Sequence, residues 1–307
     1  MRSEFLLLAL ALVIIALGAW KAWSYYRRGP ALPSPFPAVP VRMAEVGDLQ
    51  IRYHLSGRGP CMVLIHGIGA NLFCWRWIVP LLNRKFTVLA LDLPGFGQSS
   101  KPLNAHYGLD DQVQRLKQLF AHLGLQPKVL VGNSMGGNIA LWYALQNPDP
   151  GLCTVVIAPA ASPSLVPFAA KQLHWLSSPL TRLVNRQAIL WAHRRTVSNK
   201  ELVDHSRVSE TYLTYKNDKG AVRSFILATE SIRDPRLLQG LTQLRSPLLV
   251  LWGTHDRLVS RAVIEGLQNK VSQAETHVHQ GGGHHLQEDE PQWVSDKIDA
   301  FTSRNLD

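Results

Sequence analysis

Cysteine is scarce in this sequence: three among 307 residues, at 61, 74 and 153. An odd, widely spaced set excludes a disulfide framework and a CxxC metal site, and leaves three small buried hydrophobes. Charge is also sparse, 18% against 46% hydrophobic residues, which excludes an intrinsically disordered chain. No internal repeat runs through it. Acidic residues are the rarer sign, 22 against 32 Lys and Arg, for a net charge of +10. No zinc-finger spacing, nucleic-acid-binding signature or lysine-rich tail accompanies that excess. Nucleic acid is therefore not an expected partner, and an anionic membrane surface is.

What the chain does have begins with one uncharged run, FLLLALALVIIALGAW, from Phe5 to Trp20. At about 1.5 Å per residue it spans roughly 24 Å, short of a hydrocarbon core of about 30 Å. Lys21 can snorkel, and Trp20, Trp23, Tyr25 and Tyr26 can form an interfacial belt. Residues 1–23 are therefore expected to be a single-pass membrane anchor. A cleaved signal peptide is the alternative, because Ala16-Leu17-Gly18 has the small-x-small form. Lys21, Arg27 and Arg28 behind the run place the body on the cytoplasmic side by the positive-inside rule. Residues 24–40 follow as a linker, with five prolines in GPALPSPFPAVP forming an extended spacer.

From Val41 short β-branched runs alternate with helical periods, the pattern of an α/β fold with a mostly parallel sheet. Strands are expected at 41–46, 49–55, 61–66, 86–91, 129–133, 153–158, 247–252 and 274–279. VLI, VVI and LLVL are continuous apolar runs, as in parallel strands buried on both faces. Helices are expected at 110–123, with Asp110 as N-cap, at 134–147, and at 291–303 behind Pro291. No strand is legible between Pro159 and Ser246. That gives a core of 41–159 and 233–307 with a helical cap, 160–232, inserted between the sixth and seventh strands.

Gly132-Asn133-Ser134-Met135-Gly136 follows a strand and opens a helix, the setting that G-x-S-x-G requires. The serine sits on a strained turn, so its neighbours two positions away must be almost free of side chain. A nucleophilic serine needs a base and an oriented acid, in the chain order Ser, Asp, His. Asp256, in Gly253-Thr254-His255-Asp256, is the carboxylate close behind the seventh strand. Its bland alternative is a helix N-cap. Asp92, in LDLPGFGQS, reads as structural, organising its turn. After the last strand Gln280-Gly281-Gly282-Gly283 delivers two adjacent histidines, His284 and His285, between which spacing does not choose. His277, His279, His284 and His285 also raise a metal reading, but no Cys or carboxylate cluster completes a ligand set, and no metal is expected. An oxyanion needs two backbone N–H donors. Met135 follows the nucleophile, and Ile68, in His66-Gly67-Ile68-Gly69, is the best second donor. His66 is read as bracing that loop.

HGIG, DLPGFGQS, GNSMGG, WGTHD and GGGHHLQEDEP, in this order and spacing, resemble the α/β-hydrolase fold superfamily from about Val41 to the C-terminus. The resemblance implies His284 as the catalytic histidine, since HHLQEDEP carries the family's acid-x-x-Pro continuation. Ser134 separates the chain from the haloalkane dehalogenases and epoxide hydrolases, whose nucleophile is Asp. Anchor, helical cap, GNSMGG and DLPGFG together are most similar to monoacylglycerol-lipase-like esterases. That similarity implies a serine hydrolase of carboxylic esters, lipid-derived or otherwise apolar in the acyl part, that needs no cofactor. Two alternatives stand beside it: a C–C bond hydrolase of ring-fission diketones, and a slow-turnover ligand-binding receptor.

The cap carries much of the charge excess. Over 165–207, Lys171, Arg182, Arg186, Arg194, Arg195, Lys200 and Arg207 outnumber Glu201 and Asp204. Within 179–193, Leu180, Leu183, Val184, Leu190 and Trp191 fall at helical spacing with Arg182, Arg186 and His193 on another side. One amphipathic helix is expected there, either packed on the core behind a solvated face or turned by its basic face toward anionic headgroups.

Overall fold

The computed structural model describes residues 41–167, 170–218 and 220–306. Eight strands form one sheet in the order β1-β2-β4-β3-β5-β6-β7-β8. They are β1 (Arg42–Val46), β2 (Leu49–Ser56), β3 (Cys61–Ile65), β4 (Thr87–Leu91), β5 (Pro127–Asn133), β6 (Cys153–Ile157), β7 (Leu248–Gly253) and β8 (Glu275–His279). β1 and β2 pair antiparallel, as do β2 and β4, and every later pairing is parallel. The expected strands differ from these by one or two residues at their ends, where pairing rather than composition decides the boundary.

Every residue of β3, β6 and β7 is buried, which is why those segments read as unbroken apolar runs. Alternate side chains feed two cores. Val63 and Ile65 pack with helices α1 (Leu109–Leu123) and α2 (Met135–Gln146) on one face of the sheet. Met62 and Leu64 pack on the other, where Val294, Ile298 and Phe301 of the helix Pro291–Asn305 are buried. Leu109, Val113, Leu116 and Phe120 form the buried stripe of α1. Its N-cap is Gly108, not Asp110: Asp111 Oδ2 accepts from the Gly108 N–H at 3.1 Å, while Asp110 accepts from Trp142 and Gln146. A carboxylate three residues into the helix does the capping that a side chain at the cap position was expected to do.

Between β6 and β7 no strand occurs among the described residues, and the chain runs through cap helices α3 (Ser177–Leu183), α4 (Arg186–Thr196), α5 (His205–Asn217) and α6 (Gly220–Ala228). The single helix expected over 179–193 is corrected to two, broken at Val184. Asn185 caps the second by accepting from the Ala188 N–H at 2.9 Å. Of the basic residues there, Arg182, Arg194 and Arg195 are exposed. Arg186 bonds Ser209 Oγ and covers the Tyr212 ring, turned into the cap, while Leu183 and Trp191 are exposed. The cap has its own small core of Ile189, Leu190, Val197, Val203 and Val208.

The expected membrane placement is also corrected. Among the described residues no helix is long and apolar enough to cross a membrane. The longest, Leu109–Leu123 and Pro291–Asn305, have 15 residues each and reach about 22 Å. The structure therefore does not support a single-pass anchor with the body on one side of a bilayer. The run at 5–20, its signal-peptide alternative and the linker 24–40 lie outside the described residues.

Candidate active site

The strand order reverses at β3, whose neighbours are β4 on one side and β5 on the other. In open parallel sheets a crevice forms beyond the carboxyl ends of strands at such a point. Four loops meet there, behind β3, β5, β7 and β8.

The loop behind β5 is a sharp turn into α2. Ser134 has φ 55° and ψ −119°, a backbone conformation that costs a non-glycine residue about 1–3 kcal/mol. Its neighbours hold it there: the Ser134 N–H donates to Ile157 O at 3.0 Å, and Ser134 O accepts from the Ala160 N–H at 3.2 Å. A Cβ on Gly136 would sit 2.1 Å from Ile65 O, and one on Gly132 would sit 2.2 Å from Gly136 O. Only glycine fits at either position. Met135, fully buried, is the first residue of α2, so its N–H is one of the donors that a helix start leaves without an internal partner. Asn133 lies behind the turn and donates through Nδ2 to both Ile157 O and His284 O, each at 3.0 Å.

The loop behind β3 lies against Ser134. A Cβ on Gly67 would be 3.0 Å from Ser134 Cβ. Ile68 follows, half-buried against the core. His66 braces the loop through both ring nitrogens, with Nδ1 donating to Gly67 O at 2.7 Å and Nε2 accepting from the Leu93 N–H at 3.0 Å. Burial pulls its pKa to about 4 despite the hydrogen bond to Gly67, so the ring stays neutral. Asp92 ties the neighbouring loops, accepting from the Leu72 and Gln98 N–H groups at 2.7 Å each.

The loops behind β7 and β8 bring Asp256 and His284 together. His284 Nδ1 is 2.9 Å from Asp256 Oδ2, and both side chains are almost fully buried. Asp256 Oδ1 accepts from the Leu258 and Val259 N–H groups at 2.7 and 2.9 Å, which fixes the carboxylate. It caps this turn and not a helix, since Ser260 is the N-cap of Arg261–Lys270. His285 turns the other way. Its Nδ1 lies 2.7 Å from Glu288 Oε1 and 2.9 Å from Arg207 Nη2. His277 pairs with Glu275, and His279 stacks edge-on against Trp293. Among the described residues no group of three or more His, Cys, Asp or Glu could hold a metal ion.

Sequence reasoning missed the cluster behind His285. Glu288 Oε2 meets Arg76 Nη1 at 2.5 Å and Oε1 meets Arg207 Nη2 at 2.6 Å, all buried. Burial pushes the Glu288 carboxyl up, but Arg207 and then Arg76, with the His285 hydrogen bond, outweigh it and hold the pKa well below the usual carboxylate range. Burial likewise pulls His285 to about 4 against the pull of Glu288, and it lowers His193 well below the ordinary value, aided by Arg207.

Above the β3 loop the cap lines an open cavity of about 550 Å³. Its wall includes Ile68, Leu180, Ile189, Ala192, Phe225 and Leu258, with His193, Thr211 and His285 among its few polar members. The wall stops short of Ser134 and His284, but Ile68, Leu258 and His285 lie within two residues of Gly67, Asp256 and His284 respectively.

Residues 60–291 match the profile of a family described as the alpha/beta hydrolase fold. The chain belongs to that family. Hydrolysis is accordingly the chemistry that membership supports. The chain is 26% identical over 271 residues to an uncharacterized hydrolase, YugF, of Bacillus subtilis, covering 85% of this chain and 97% of that one. It is 27% identical over 252 residues to a 2-hydroxy-6-oxo-2,4-heptadienoate hydrolase of Pseudomonas putida, covering 80% and 90%. Among solved structures it resembles a membrane phospholipase A, described as a bacterial virulence factor, at 26% identity and a TM-score of 0.69, with 99% of each chain covered. These relatives are named for different substrates, so family membership by itself does not fix the kind of hydrolysis.

Proposed function

We propose that this alpha/beta hydrolase cleaves carboxylic esters with apolar acyl groups through an acyl-enzyme. The observation that carries the reading is the paired His284 and Asp256, 2.9 Å apart, beyond the same sheet edge as a serine held at φ 55° on a strand-to-helix turn. In this reading Ser134 Oγ attacks the ester carbonyl while His284 Nε2 takes its proton. Asp256 fixes the imidazole with hydrogen on Nδ1 and stabilises the imidazolium. The Ile68 and Met135 N–H groups receive the carbonyl oxygen as it becomes negative. His284 then returns its proton to the leaving alkoxide. Water, deprotonated by the same imidazole, attacks the acyl-enzyme and releases the carboxylic acid and free Ser134. No cofactor enters the scheme. The cap, residues 160–232 set into a core of 41–159 and 233–307, supplies the apolar wall for the acyl part.

A second reading is favoured by the heptadienoate hydrolase relative: the same three side chains could serve C–C cleavage of a ring-fission diketone. The cavity wall argues for esters, because it is mostly apolar, Arg195 apart, and rewards buried methylenes by about 0.8 kcal/mol each. The test is a panel of p-nitrophenyl esters and monoacylglycerols against a ring-fission dienone, compared by kcat/KM. Ser134→Ala should lower kcat on the preferred ester by about 10⁴–10⁶. Preference for the dienone overturns the ester reading, and labelling of Ser134 by a fluorophosphonate without turnover of any ester favours a binding role.

A further inference from the structure

We propose that Arg207, carried by cap helix α5, is a positioning residue for His284, acting through Glu288 and His285. The working geometry of the base then depends on the docked cap. The inference rests on His284 being the base of the proposed reaction.

The loop that carries His284 is held by the core, through Thr254, His255, Asn133 and Asp256, and by a second set of contacts that lead to the cap. Gly283 N–H donates to Asp289 Oδ2 at 2.8 Å, and the same carboxylate accepts from the Ser198 and Asn199 N–H groups of the segment behind α4. The His285 N–H donates to Thr196 O at 2.7 Å. Arg76, on the core side, reaches across to Leu202 O at 3.2 Å. The His285 ring, 5.7 Å from that of His284, is held in turn by Glu288. Because Glu288 stays ionised, His285 Nδ1 carries the hydrogen and donates to it. Arg207 Nη2 bonds the same carboxylate oxygen and also Thr196 Oγ1 at 3.3 Å. Cap, carboxylate and the residue next to the base thus form one continuous set of contacts.

Stability alone is a poor account of this cluster. Two arginines face one carboxylate, which leaves an excess positive charge out of water, and Arg207 Nη1 is buried with no hydrogen-bond partner among the described residues. Apolar residues of similar volume commonly replace such buried ion clusters without loss of stability. What they cannot reproduce is direction. The carboxylate has two oxygens, each committed to a different guanidinium, and that fixes the orientation of the His285 ring and the loop it belongs to.

The test compares three variants of the full chain: Arg207→Met, Arg207→Lys, and the triple Arg76→Met, Glu288→Leu, Arg207→Met. Fold is read by circular dichroism and Tm. Function is read as kcat and KM on p-nitrophenyl acetate, whose acyl group leaves the cavity unfilled. The His284 Nδ1 proton is read directly by its downfield NMR resonance. The expected result is a folded triple variant with KM within twofold of the parent, kcat at least tenfold lower, and a shifted or lost downfield resonance. Arg207→Lys should recover part of the kcat lost in Arg207→Met. A folded triple variant with kcat within twofold and an unchanged resonance overturns the proposal. Should the triple variant not fold, Arg207→Lys decides in the same way, by whether the resonance and kcat move. A parent enzyme without Ser134-dependent ester turnover refutes the ester reading instead, and the resonance still decides the role of Arg207.

Discussion

Acidification should destabilise this protein through histidines that it holds neutral in its interior. His66 and His285 are buried, and burial takes each from an ordinary 6.5 to about 4. The unfolded chain takes up a proton at each ring as pH drops through 6.5, whereas the native ring does not until about 4. The native state is therefore favoured above 6.5, and that stability drains away between 6.5 and 4. At pH 5 the gap is about 1.5 pH units per ring, or about 2 kcal/mol each and about 4 kcal/mol for the pair. His193 adds in the same direction. Asp92, whose carboxyl is pushed up by burial against the pull of Arg52, works the other way, so the comparison must cancel it. Urea unfolding at pH 7 and pH 5 of the parent and of His66→Gln does so. The variant should be less stable at pH 7, having lost the Leu93 and Gly67 contacts, but its drop from pH 7 to pH 5 should be smaller by about 2 kcal/mol. An equal drop in both proteins would refute the assignment of His66 as a neutral brace.

Glu288 gives a separate window: its depressed carboxyl contributes stability above its ordinary 4.5 that is lost as pH falls below it, so Glu288→Gln should flatten unfolding curves only in that acid range. Gly136→Ala places a methyl group 2.1 Å from Ile65 O, a backbone atom that cannot yield. It should cost at least about 3 kcal/mol and lower Tm by about 6 °C or more, and an unchanged Tm would contradict the turn geometry. Ala192→Trp fills part of the cavity under the cap. If three acyl methylenes are displaced, kcat/KM on a decanoyl ester should fall about 50-fold while the acetyl ester is spared, and equal loss on both removes the cavity from acyl binding.

The sheet and its motifs were legible because their signals are local. A parallel strand buried on both faces must be apolar throughout, as CMVLI and LLVLW are, and a strained serine turn must have glycines around it. The choice between His284 and His285 was not local. Spacing treats the two alike, and only the path of the chain sends one toward Asp256 and the other toward Glu288. The Arg76–Glu288–Arg207 cluster was missed for the same reason. Its members are 212 and 81 positions apart, and charged residues read singly are taken for solvated ones. The break at Val184 left a usable trace, an Asn185 three residues before the amide it caps, but the apolar spacing across 179–193 masked it. Asn133, between the elbow glycine and serine, carried no periodic signal; its two hydrogen bonds become visible only once the loop behind β8 is in place.

That last dependence has a consequence for synthesis. Asn133 and His284 are joined across 151 positions of chain. At about 5–20 residues per second, His284 leaves the ribosome roughly 8–30 s after the serine turn. Throughout that interval the strained turn exists without the residue proposed as its base. On the proposed assignment, a nascent chain can bury the centre of its sheet before Ser134 gains its reactivity. Reactivity toward a serine-directed probe, followed on stalled chains of increasing length, would report the arrival of the β8 loop and not the folding of the core.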